Sequence, residues 1–372
     1  MHTLKATASS SISLAEGHYI YAITPASPSS FAVISSDDSL RVFDANRLDH
    51  ASVIAAHAHE GVTSLKTYDA NQQVLATGGR DNKVKLWDLR SGKRNAVVEL
   101  ETSKQAPILS VACCPEVHGV AAGTELVSYQ AVVAFWDTRS PGQTSLQYVE
   151  SHNDDVTELQ YHPTNPQYFL SGSTDGLVNI YNTSITDEDE ALVQVINHGS
   201  VHHAGFLSEN TIYALSHDEV FSVHPATNPD EDVTQAEPSA SPSPIQFGDL
   251  RQPLGCEYIA QVCLGSRGQG AYVAAGNKEQ NRLDLIPLVS EPSWRFDQEN
   301  LWRLPGAHGE EVVRSVYLDE KSQSVFTCGE DGYVRAWKPE GDGQGAGAQA
   351  EEAAKGSRKE KKNREKGRFK PY

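Results

Sequence analysis

Three times along the chain a histidine, a hydroxyl residue, an aspartate and an aromatic residue recur in one order. The sets are His59, Thr77, Asp81 and Trp87; His152, Ser171, Asp175 and Tyr181; and His308, Thr327, Asp331 and Trp337. In each set the aromatic residue follows the aspartate by six positions, the hydroxyl by ten and the histidine by twenty-eight or twenty-nine. Imidazole, hydroxyl and carboxylate are the parts of a hydrolytic triad. They are also the parts of a closed hydrogen-bonded network, in which leaving one member unpaired costs about 1–3 kcal/mol. One structural reading explains all three sets at once, and no Gly-x-Ser-x-Gly elbow accompanies them.

Other reactive residue types lead to weaker readings. His57 and His59 are spaced like two metal ligands, but His59 already belongs to a quartet. His202 and His203 open a strand, where neighbours are expected to point to opposite faces and not to share an ion. Gly265-Ser-Arg-Gly-Gln-Gly270 lacks the spacing of a phosphate loop and the Lys-Ser/Thr that follows one. The five cysteines (113, 114, 256, 263 and 328) are odd in number and form no Cys-x-x-Cys pair. They give neither a disulfide framework nor a zinc site and suit a reducing compartment. Catalytic residues, metal and cofactor are therefore all expected to be none.

The elements that position the quartets are strands. Each quartet spans an apolar strand, a small-residue step, an Asp-Gly or Asp-Asn turn and an alternating strand that ends in the aromatic residue. Asp-Gly between alternating apolar runs is a strong hairpin signal. Weaker copies fill the gaps between the three sets. Phe31–Asp44 carries Phe43 in the aromatic place. Val120–Thr124 with Val132–Asp137 has a hairpin loop expanded by Glu125–Gln130. Ile212–His224 carries His224 in the aromatic place, and Tyr272–Pro287 is the least regular copy. The units number seven.

This quartet resembles the hydrogen-bonded tetrad of WD40-repeat blades. The stretches Ala122-Gly-Thr-Glu125, Phe135-Trp-Asp137, Glu150–Thr157, His162-Pro-Thr-Asn-Pro166, Ser171–Asn179, Asp187–Leu192 and Ser216-His-Asp-Glu219 sharpen the resemblance within that family. It covers roughly 30–340 and is densest over 120–225. What it implies is an all-β, seven-bladed WD40 β-propeller that acts as a protein-interaction scaffold, with no established catalysis. Each blade needs four strands. The last blade runs near Val312–Leu318, Ser324–Cys328 and Tyr333–Trp337 and then enters a Gly-rich stretch unsuited to a strand. Residues 2–14 are spare, so they are expected to close the ring as its outer strand. The propeller thus spans 1–339. A flexible loop is expected at about 226–244, followed by an outer strand near Ile245–Phe247. Residues 340–372 read as a disordered basic tail.

Charge speaks to partners. The chain of 372 residues carries a net −18, with nine Lys or Arg against two Glu in 355–372, so the remainder carries −25. No apolar run approaches the roughly 20 residues of a membrane helix, and no secretory signal is visible, so no membrane is expected as a partner. On the face shared by the loops leading into each blade and the inner hairpin turns (the top face), Glu60, Arg80, Asp154, Asp155, Glu310, Glu311 and Glu330 are the expected partner-binding residues. Acid dominates there and suits basic protein segments. Asp187–Glu190 and Asp230–Asp232 are expected on the opposite face.

The tail residues Lys355, Arg358, Lys359, Lys361, Lys362, Arg364, Lys366, Arg368 and Lys370 admit three readings: a nuclear or nucleolar address, a weak RNA contact, or a solubilising segment. A monomeric propeller working within a nuclear complex in ribosome assembly or chromatin work is the first expectation, with a cytoplasmic location as the alternative. A substrate adaptor of a cullin-type ubiquitin ligase is the second functional reading. It rests on Arg90 and Arg139, which follow Trp87-Asp88 and Trp136-Asp137 by two residues in the pattern linked to such docking.

Overall fold

Turn chemistry sets the frame. The turn between the second and third strand of a unit is closed by an N–H to C=O bond across three residues, as from Asp38 to Ser35, Gly176 to Ser173, Glu219 to Ser216 and Gly332 to Gly329. Its last residue is left-handed in each case: Asp38, Gly176, Glu219 and Gly332, with Asn82 in the same place. Such a turn, ended by a left-handed residue, matches the twist of the two strands it joins. Gly, Asn and Asp tolerate that conformation, whereas Glu219 does not adopt it readily.

The computed structural model describes residues 1–92, 94–226, 243–265 and 270–340. Met1–Lys338 form one unit. Five separate four-stranded antiparallel sheets come first, opening with the strands Ile20–Ser27, Val62–Asp69, Ile108–Cys114, Val156–Tyr161 and Val201–Ser208. A nine-stranded sheet follows. It holds two more sets of four, opening with Tyr258–Leu264 and Val313–Asp319, and the extra strand Arg295–Phe296 at its side. These sets meet where His2–Ser10 runs parallel to Trp302–Pro305, with His2 opposite Trp302 and Thr3 opposite Arg303.

On its other side His2–Ser10 lies beside Val334–Pro339, and the Thr7 hydroxyl donates to the Ala336 carbonyl at 3.1 Å. The chain's first strand is therefore the outer strand of the last set, as the spare-segment argument predicts. It is shorter than the 2–14 expected. After Ser10 the backbone turns through left-handed Ile12 and Ser13, and Ile12 and Leu14 enter the core. The opening strands of neighbouring sets touch in chain order, and the seventh touches the first. The sheet order accommodates the seven units of the repeat, and the opening strands line the centre. The outer strand of the fifth set is Ile245–Asp249.

The core lies between neighbouring sets. Trp87 packs among Ile34, Leu40 and Val62, and Trp136 among Ala76, Val84 and Leu86. Each aromatic residue that ends a third strand thus covers the sheet before it. The four cysteines 114, 256, 263 and 328 are buried and Cys113 is half-buried, and none is in a disulfide. The 226–244 loop lies outside the described residues apart from its ends, and so does the tail after Glu340.

Candidate functional site

In the second set His59 Nδ1 lies 2.6 Å from Asp81 and Nε2 lies 2.7 Å from the Thr77 hydroxyl, to which Trp87 Nε1 donates at 2.8 Å. The seventh set repeats this with His308, Asp331, Thr327 and Trp337 at 2.7, 2.8 and 2.9 Å. In the fourth, His152 meets Asp175 at 3.0 Å and Ser171 at 2.6 Å, while Ser171 donates to Tyr181 Oη at a longer 3.3 Å. The phenol is steadied instead by Asn179 Nδ2 at 3.2 Å. All three hydroxyls are fully buried, so no substrate atom reaches them. Burial opposes ionisation of Asp81, but bonds from His59 and Lys85 outweigh it and bring the carboxyl down to about 2. Gly79 leaves room for the ring: a Cβ there would lie 2.3 Å from His59 Cγ.

A fifth position was not singled out in the sequence. Four residues after the turn aspartate, the third strand carries Arg41, Lys85, Asn179 or Arg335. Lys85 Nζ donates to Asp81 at 3.0 Å and to the Ala58 carbonyl at 2.7 Å. Arg41 donates to Asp37 at 2.7 Å, and Arg335 pairs with Asp331. The signal was legible as Asp-x-x-x-Lys/Arg.

The irregular sets replace the quartet with other fasteners. In the first, Leu14, Val33 and Phe43 occupy the histidine, hydroxyl and aromatic positions and share one apolar cluster. In the fifth, Ser222 from the third strand bridges His198 at 3.0 Å and His224 at 2.8 Å. In the sixth, buried Asp284 accepts from Arg303 at 2.7 and 2.8 Å. In the third, Ala122 stands where the hydroxyl would be, and Trp136 Nε1 has no partner.

Every opening strand also has a register break at its top: between Ile20 and Ala22, Val62 and Ser64, Ile108 and Ser110, Val156 and Glu158, Val201 and His203, Ile259 and Gln261, and Val313 and Ser315. A bulge re-aims the residue within it. Thr63 and Thr157 use this to donate to the Ile108 and Val201 carbonyls of the next set, at 2.6 and 2.8 Å. The break at Val201 also corrects an expectation. His202 and His203 do not point to opposite faces; their ring centroids lie 4.1 Å apart, and His217 stacks on His202 at 5.0 Å. Burial, with His203, His217 and Arg314 nearby, pulls His202 down to about 3. Among the described residues no three His, Cys, Asp or Glu side chains are placed to hold a metal. A cavity of about 440 Å³ opens here, lined by Tyr21, His202, His203, Glu219, Tyr258 and Arg314 among others. Below it the central channel encloses about 510 Å³.

The family described as WD domain, G-beta repeat matches residues 51–88, 143–182 and 299–338, the three segments that hold the complete quartets. Over 287 residues the chain is 31% identical to a WD repeat-containing protein of Schizosaccharomyces pombe, covering 76% of this chain and 84% of that protein. This chain belongs to the WD40-repeat family. A Saccharomyces cerevisiae WD repeat-containing protein is 34% identical over 268 residues; the match covers 71% of this chain but 64% of that protein's length. The resemblance at 120–225 points to WD repeat-containing protein 89, whose Dictyostelium discoideum homolog is 22% identical over 83% of this chain and 80% of its own. A shorter match, 33% over 31% of this chain and 26% of that protein, is to a ribosome biogenesis protein WDR12 homolog of Nematostella vectensis. Among solved structures, the WD40 β-propeller domain of Doa1 superposes with a TM-score of 0.61 at 14% identity, over 92% of this chain and 99% of that one.

On the WD40 top face, Glu60, Glu310 and Glu311 are exposed and hold no ion pair among the described residues. The other residues named from sequence are engaged. Arg80 pairs with Glu125 at 3.2 Å, and Glu330 accepts from Arg314 Nε at 2.9 Å. Asp155 accepts the Leu126 N–H at 2.8 Å, and Asp154 accepts the N–H of Asp155. Glu188, expected on the opposite face, is an internal clamp on the segment leading into His152: it accepts the backbone N–H groups of Val149, Glu150 and Ser151 at 2.7–2.9 Å. Asp230–Asp232 and the tail residues lie outside the described residues. Arg90 and Arg139 fold back on Asp88 and Asp137, each through two nitrogens.

Proposed function

We propose that this chain is a non-enzymatic WD40 scaffold whose acidic top face takes a basic segment of a protein partner, in a nuclear complex concerned with ribosome assembly or chromatin. The observation that carries the reading is the set Glu60, Glu310 and Glu311, exposed and unpaired among the described residues on a chain of net charge −18. Carboxylates arranged in this way raise encounter rates and select Lys/Arg-rich segments. Burial of the quartet hydroxyls speaks against hydrolysis. The short match to a ribosome biogenesis protein supports the process and the nuclear setting, and the basic residues from Lys355 to Lys370 suit an address or an RNA contact.

The test is direct binding of Lys/Arg-rich peptides to the full chain at two salt concentrations. Affinity should fall as salt rises, and Glu310→Gln with Glu311→Gln should lower both the affinity and its salt slope. Binding that is indifferent to salt overturns the proposal. Co-purification separates it from the ligase-adaptor alternative: ribosomal or histone proteins support the scaffold reading, and cullin-ligase subunits support the adaptor.

A further inference from the structure

The expanded hairpin of the third blade ends in a feature that the charge reading does not use. Val127 and Gln130 exchange both backbone bonds, at 3.0 and 3.2 Å, so the tip is a minimal two-residue β-turn. Its central residues, Ser128 and Tyr129, have φ of 53° and 64°. Such a turn favours Asn-Gly, because both positions are left-handed. Here a serine and a bulky aromatic residue adopt it, and Tyr129 is 95% exposed.

The base of the finger is pinned on three sides. The Glu125 N–H donates to the Pro107 carbonyl at 2.9 Å. The Glu125 carboxylate pairs with Arg80 of the second blade at 3.2 Å. The Leu126 N–H donates to Asp155 of the fourth blade at 2.8 Å, and the Leu126 side chain packs against the core between the third and fourth blades. A rigid base and a strained tip hold one aromatic ring in water, beside a base that carries Glu125, Asp154 and Asp155 against Arg80.

We infer that Tyr129 is the aromatic anchor of the acidic face and that it stacks on an arginine guanidinium of the basic partner segment. The inference rests on the acidic-face reading and sharpens it from any basic segment to an arginine-bearing one. A planar guanidinium stacks on an aromatic face better than a strongly hydrated ammonium does. Tyrosine and arginine are also the residue types that dominate binding at interface centres. With the backbone of the finger already held, only the ring's own rotation remains to be ordered on binding.

The experiment titrates the full chain with two peptides of equal length and charge, one built on arginine and one on lysine, at two salt concentrations. The wild type should bind the arginine peptide about three- to ten-fold more tightly. Tyr129→Ala should lower the arginine affinity more than the lysine affinity and so remove that preference, while Tyr129→Phe should keep it. The double change Ser128→Asn, Tyr129→Gly relaxes the turn, so its thermal midpoint should rise while the preference disappears. That outcome excludes misfolding as the cause. An equal affinity of the wild type for both peptides, or a preference that survives in Tyr129→Ala, overturns the anchor and leaves the acidic-face reading standing. If the wild type shows no salt-sensitive binding to either peptide, both fail.

Discussion

Arg303 donates Nε and Nη2 to the two oxygens of Asp284, at 2.7 and 2.8 Å, with the carboxylate almost wholly inside the sixth blade. Counted from the bulge of the opening strand, Asp284 on the third strand stands where Lys83 stands in the second blade, two residues before the Lys85 position, and Lys83 there pairs with Glu99 of the outer strand at 2.8 Å. The sixth blade has thus reversed the charge order, taking its cation from the outer strand. Arg303 is also opposite Thr3 in the parallel pairing that closes the ring. Removing one member of a buried pair costs about 3–5 kcal/mol, because it strands the other charge. Arg303→Ala should therefore lower stability by about that much, with Arg282 at 3.6 Å recovering a fraction. The double change Asp284→Leu, Arg303→Met should cost far less. Chemical denaturation of the wild type and these two variants checks this, and equal losses in the single and double variants would defeat it.

Thr77 serves two partners at once, accepting from Trp87 and bonding to His59 Nε2. Thr77→Ala should cost about 1–3 kcal/mol, and Thr77→Ser a small part of that. The network also has a pH signature. The Asp81 carboxyl sits at about 2 in the fold, below its ordinary value near 3.9. Its contribution is complete above that ordinary value and is lost as the pH falls toward 2. Asp81→Asn should be less stable than wild type at pH 7, and the gap should close on acidification. A gap that is independent of pH between 7 and 2 would contradict the charge account.

Glu219 has the opposite sign. Burial pushes its carboxyl up to about 7, with Asp249 adding to the rise and the Ile259 N–H, Arg251 and His203 opposing it. A carboxyl that is harder to ionise in the fold contributes stability below its ordinary value near 4.3, and that contribution is lost as the pH rises through about 7. Glu219→Gln keeps an acceptor for Ile259 and removes the ionisation. It should match the wild type at pH 4 and exceed it by about 1–3 kcal/mol at pH 8. Melting temperatures of the two proteins across that range give the answer. Parallel curves would mean that Glu219 ionises freely.

What the sequence disclosed and what it hid have physical causes. His59, Thr77, Asp81 and Trp87 could be read because a shared network demands fixed residue types at fixed spacing. Ring closure by the first strand could be read because an unpaired edge and a spare segment imply each other. The bulges could not be read, since the Val or Ile before each one looks like any strand residue; this is why His202 and His203 were expected on opposite faces. Ser222 was hidden as well, because in the fifth blade the hydroxyl comes from the third strand and breaks the spacing that made the other quartets visible. The top-face charges were legible as residues but not as pairs. Arg80 with Glu125 and Arg314 with Glu330 bring together segments that lie 45 and 16 positions apart.

The third blade offers a repair experiment. Val120 lies opposite Trp136 and Ala122 opposite Ala134, as Leu75 lies opposite Trp87 and Thr77 opposite Lys85. Ala122 therefore stands at the hydroxyl position, and the buried Trp136 Nε1 is left without an acceptor. Ala122→Ser should supply one and raise stability by about 1 kcal/mol. Ala122→Thr adds a methyl group in a cluster already filled by Ala76, Val84 and Val111, so overpacking of about 1–3 kcal/mol should erase the gain. The same orphan donor predicts an asymmetry between two tryptophans. Trp87→Phe breaks a made bond and should cost about 1–3 kcal/mol beyond the change in ring size, whereas Trp136→Phe removes an unpaired N–H and should cost little beyond it. Denaturation midpoints for the four variants test both statements together. Equal losses for the two tryptophans, or a loss in Ala122→Ser, would show that Trp136 Nε1 already has what it needs.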